Sequence, residues 1–154
     1  MFDRDTMHHT LERVTDDVVR RFSNLPVQPA DDLIPLPSEE CVVGRAHFGG
    51  PVSGIIMVAA PVGLCRQMAP EALRADDSAE CAVLCASRAI GELANTIGGH
   101  LIAALWPEDQ VTLSAPVTER SSYHDWVVMS CASGTVRLSV GDRPLLAALS
   151  LRPM

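Results

Sequence analysis

The stretch from Ser78 to about Leu105 constrains this chain more than any other. Val83, Ile90, Leu93, Ala94, Ile97 and Leu101 recur at helical spacing and hold one apolar stripe, most regular in the second half, until Trp106-Pro107 ends it. Asp76-Asp77-Ser78 offers a cap for its start. A helix of this length could span a bilayer only if it were apolar all round, and Arg88, Glu92 and Asn95 interrupt it. Its apolar stripe has to be buried against something that the rest of the chain supplies.

That something reads as a sheet. Cys41 to Phe48 and Ser53 to Ala60 are two strand-like runs joined by Gly49-Gly50-Pro51, a hairpin signal. The second run is apolar on both faces and is expected to be central. Further strands are expected at Val111 to Leu113, Trp126 to Cys131, Thr135 to Val140 and Leu145 to Leu151, with turns at Ser133-Gly134 and Gly141-Asp142. Before them, Thr6 to Asn24 is an amphipathic helix with Leu11, Val14, Val18, Val19 and Phe22 on one side. Prolines 26, 29, 35 and 37 make residues 26–40 a stiff connector in which no helix or strand is expected. After Pro61, Val62 to Met68 and Pro70 to Leu73 form short helix-like pieces. The order predicts an α/β (α+β) sandwich, long helices packed on a largely antiparallel sheet, and residues 1–154 fall within the usual size of one domain.

Charge narrows the partners. With 12 Lys+Arg against 19 Asp+Glu the formal net charge is -7, and no basic run stands out. Nucleic acid and anionic membrane surfaces are not expected partners, because phosphate binding needs clustered positive charge. The opening Met1-Phe2-Asp3-Arg4-Asp5 has no apolar leader character, so the cytoplasm is the expected location. An odd number of cysteines, five, does not suggest a disulfide framework there. Cys81 and Cys85 lie one helical turn apart but lack a second close pair, so no metal site is expected.

The helix from Ser78 also carries a polar face of its own. With Ile90 at zero, Leu93, Ala94, Ile97 and Leu101 fall within about 60° of it, while Arg88, Glu92, Asn95 and Gly99 fall between about 140° and 200°. Glu92 and Asn95, three apart, can reach one object lying across that face. Gly98 and Gly99 each cost about 1 kcal/mol relative to Ala in a helix, which points to the close approach of another backbone.

Gly91-Glu92-Leu93-Ala94-Asn95-Thr96-Ile97-Gly98-Gly99-His100, followed by Val111-Thr112-Leu113-Ser114-Ala115-Pro116, resembles the Glu-x-x-Asn helix and downstream proline of the CheC/CheX chemotaxis phosphatases. Gly49-Gly50-Pro51-Val52-Ser53-Gly54-Ile55 is similar to that family's hairpin, and the order of elements agrees. Two positions depart from the pattern. Arg88 stands where the family has Asp or Ser, and the interval from Asn95 to Pro116 is slightly shorter than usual. The first helix of two-site members carries a second copy of the motif; here Glu12 is followed by Thr15, which implies a single site, as in CheX.

The resemblance implies a phosphatase acting on the aspartyl phosphate of a CheY-like response regulator, with magnesium on the partner receiver domain and no cofactor of the chain's own. Asn95 would orient the attacking water and Glu92 would pair with the receiver's lysine, with Arg88, Thr96 and Gly99 as partner-contacting positions. It also implies a homodimer, for which the strand Thr135 to Val140 could extend a sheet between subunits. The alternative is a non-catalytic module that binds a receiver domain or a flagellar-switch component.

Overall fold

The computed structural model describes residues 2–30, 39–69 and 79–152, the side chains of residues 79 and 80 excepted. The cap at Asp76-Asp77-Ser78, the piece Pro70 to Leu73 and the middle of the Pro-rich connector lie outside the described residues. Among the described residues four helices, α1 (Arg4–Ser23), α2 (Val62–Met68), α3 (Ala79–Leu105) and α4 (Tyr123–Cys131), accompany one seven-stranded sheet. Its strands are β1 (Val27–Pro29), β2 (Cys41–Gly49), β3 (Gly54–Pro61), β4 (Thr112–Leu113), β5 (Val117–Ser121), β6 (Val136–Val140) and β7 (Arg143–Leu151).

Every strand pairing is antiparallel, in the order β1-β6-β7-β3-β2, and β4 and β5 share the outer edge of β2. The apolar β3 is central as expected, between β7 and β2. The turn between β6 and β7 uses Gly141 at φ 63°, where a side chain would be strained.

Alternation along the strands divides the core in two. Val42, Phe48, Ile56, Val58 and Ala60 point to one face and are covered by α1, α2 and α3, whose Leu11, Val18, Leu64, Ile90, Leu93, Ile97 and Leu101 are buried. Cys41, Val43, Ala59 and Leu146 point to the other, where Trp126 and Met129 of α4 cover them. Burying a side chain of this size contributes about 1.5–3 kcal/mol, so the three-helix face carries most of the hydrophobic stabilisation. No disulfide links any of the five cysteines. Burial pushes the Cys65 thiol upward, and burial followed by Glu39 and Glu40 pushes Cys41 up to about 12, so neither is a thiolate nucleophile at neutral pH.

Three expectations are corrected. Trp126 to Cys131, read as a strand because of Trp126-Val127-Val128, lies in helix α4. Ser122 caps it, its Oγ accepting from the Asp125 N–H at 3.1 Å, and Trp126, Met129 and Ser130 are buried with helical rather than alternate spacing. The connector 26–40 does contain a strand: β1 pairs with β6, and its Pro29 sits on the sheet edge, where a missing N–H costs no ladder bond. Thr135 to Val140 is not a free edge, because β6 is paired on both sides.

Candidate functional site

Helix α3 is held on the sheet by contacts at small residues. A Cβ at Gly44 of β2 would stand 2.9 Å from the Ile90 carbonyl oxygen, so only glycine lets β2 and α3 come this close. A Cβ at Gly91 would meet Thr118 Cγ2 at 3.0 Å, and one at Gly98 would meet Ile56 Cδ1 at 3.1 Å and the Leu113 methyls at 3.2 Å. Gly98 is thus closely approached, but by side chains of β3 and β4 and not by the backbone that was expected. At Gly99 nothing among the described residues lies within 4 Å of the added atom, so the backbone approach expected there is not found among them.

With the apolar stripe buried, the opposite face of α3 is presented to solvent. Arg88, Glu92, Asn95 and Gly99 are all exposed, and Leu84 joins them two turns before Glu92. Among the described residues the side chains of Arg88, Glu92 and Asn95 form no hydrogen bond or ion pair. The Arg88 to Glu92 pair open to a free helix is therefore absent, in keeping with the weaker Arg-before-Glu order. Thr96 is half-buried, and its Oγ1 donates to the Glu92 carbonyl at 2.8 Å, which satisfies the hydroxyl within the helix. Pro116, just before β5, lies under α3 beside Gly91.

The arrangement offers an unpaired carboxylate and an unpaired carboxamide on one rigid face. It suits recognition of a cation and orientation of a small polar molecule. Sequence reasoning missed the flank of this face, a groove of about 540 Å³ lined by Phe22, Met68, Leu84, Arg88, Glu92 and Pro116 among others. Its one legible signal was Leu84, an apolar residue on the polar side of the helix.

Comparison with known proteins gives a consistent picture. The family model for "Chemotaxis phosphatase CheX" matches residues 42–142. No curated protein matches the sequence. Among solved structures, the chain is similar to one in the CheX–CheY–BeF3–Mg2+ complex from Borrelia burgdorferi, with a TM-score of 0.67 at 14% identity over 94% of this chain and 97% of that one. CheX from Vibrio vulnificus gives a TM-score of 0.67 at 12% identity, covering 99% and 100% of the two chains. CheX from Desulfovibrio desulfuricans gives 0.63 at 15%, covering 96% and 99%.

Proposed function

The chain belongs to the CheX family of chemotaxis phosphatases, and from that premise we propose that it hydrolyses the aspartyl phosphate of a CheY-like response regulator with the exposed face of α3. The observation that carries this reading is the Glu92 and Asn95 pair, exposed one turn apart with no side-chain partner among the described residues. Hydrolysis of an acyl phosphate needs a water in line with the leaving oxygen, and positioning is most of what a protein adds to such a reaction. The Asn95 carboxamide accepts from and donates to that water without ionising. Glu92 pairs with the lysine of the receiver's active site and fixes the register of the helix. Magnesium comes with the receiver, and α3 supplies no metal ligand or cofactor. Gly99 leaves room for the receiver's backbone, and Thr96 packs at the margin through its methyl group.

The same reading puts the chain in the cytoplasm, where response regulators work. Among the described residues no helix is long and apolar enough to cross a membrane. It also includes a homodimer, for which the available sheet edges are β1 on one side and β4 with β5 on the other. Light scattering across the micromolar range tests that part, with twice the chain mass expected.

The function itself is tested by phosphate release from a magnesium-bound receiver charged with acetyl phosphate, with the chain at one-tenth of the receiver concentration or so. Release of several equivalents per chain, faster than the receiver's own hydrolysis, is expected. Tight binding without turnover would instead mark a non-catalytic receiver-binding module.

A further inference from the structure

The groove beside Glu92 is not needed for the chemistry above, yet it opens onto the same face. Leu84, Arg88, Glu92, Asn95 and Gly99 form one stripe about 22 Å long on α3, and the groove runs along the flank of its N-terminal half. Its far walls come from the end of α1 at Phe22, the end of α2 at Met68 and the start of β5 at Thr118. Leu84 stands over it with 63% of its surface exposed, on a helix that buries Ile90, Leu93, Ile97, Leu101 and Leu105. At its rim Arg88 and Glu92 hold opposite charges one turn apart, and neither is neutralised within the described structure.

From this juxtaposition we propose that the groove is the second half of the receiver-docking surface: it takes an aliphatic or aromatic side chain projecting from the receiver, while Arg88 takes a carboxylate of the same receiver. The inference rests on the functional reading above and adds to it the part of the interface that selects the partner. An apolar patch alone would fit many proteins. The charges decide the occupant, since a surface that answers both Glu92 and Arg88 must present a cation and an anion about one helical turn apart, and the cation is the lysine already assigned to Glu92. Arg88 is thereby a specificity-determining residue.

The test uses the full chain and a magnesium-bound receiver, with binding measured by calorimetry and turnover by phosphate release. Leu84→Ser is expected to raise Kd about tenfold, as loss of an apolar anchor does, with the loss appearing in KM. Arg88→Glu is expected to raise Kd by about as much at low salt and by less near 1 M salt, where the Debye length falls to about 3 Å. Val128→Ser, exposed on α4 across the sheet, is the control and should bind as the parent does. Thermal melting checks that each variant is folded, and two chemically different changes guard against a fault in one. If Leu84→Ser and Arg88→Glu both bound like the parent while Glu92→Ala weakened binding, the groove proposal would be overturned and the functional reading would stand. If Leu84→Ser kept receiver binding but lost a dimer in sedimentation, the groove would belong to a second copy, which also overturns it. A parent that binds no receiver overturns both.

Discussion

Helices α1 and α3 each carry a glutamate followed three residues later by a short polar residue, and they point it in opposite directions. On α3, Glu92 and Asn95 face solvent and make no side-chain bond among the described residues. On α1, Glu12 is half-buried and stands 3.7 Å from His8, while Thr15 is fully buried with its hydroxyl unpaired among the described residues. The spacing is the same and the rotation is not. Leu11, Val14, Val18 and Val19 set the buried side of α1, and Thr15 falls among them. The side that carries the apolar stripe, more than the motif, decides whether a Glu-x-x-polar pair can meet a partner.

The sharpest way to break this comparison is to complete the motif on α1. Thr15→Asn is expected to destabilise the fold by about 3 kcal/mol, because it forces a larger polar group into a packed core. Tm should fall by roughly 10 °C, with no gain in phosphate release. A second active site would contradict the account. Glu92→Ala comes next, with Kd for the receiver up about tenfold at low salt and the effect shrinking as salt screens the pair. Isothermal titration at two ionic strengths reads it. The smallest effect has the opposite sign. Thr15→Val removes a buried hydroxyl that has no partner among the described residues, so it is expected to stabilise by about 1 kcal/mol, raising Tm by roughly 3 °C in a thermal melt and leaving activity as it is.

The sequence made α3 legible because its period is long and regular, and the rotation of Glu92 and Asn95 away from the core followed from arithmetic on that period. The hairpin of β2 and β3 was legible for similar reasons, since an apolar central strand and a glycine turn are strong local signals. What failed was short or polar. The run Trp126-Val127-Val128-Met129 is too brief for its period to decide between helix and strand, and its valines favour the wrong answer. Strand β5, Val117–Ser121, is mostly exposed at the sheet edge and carries little hydrophobic signal. Strand β1 is three residues long and ends on a proline, so it was hidden in the connector. The groove was illegible for another reason: Phe22, Met68, Leu84 and Pro116 come from four separate parts of the chain, and only the packed fold brings them together.

The central claim is that α3 acts on the receiver's phosphoryl group through Asn95. It is tested most directly by comparing phosphate release from a saturating, magnesium-bound, acetyl-phosphate-charged receiver by the parent and by Asn95→Ala. The substitution lies on the solvent face, so the fold should change in stability by less than about 0.5 kcal/mol. Loss of the group that aligns the water should lower kcat on the order of a hundredfold, with Kd nearly unchanged. An Asn95→Ala variant that turned over as fast as an active parent would contradict the account.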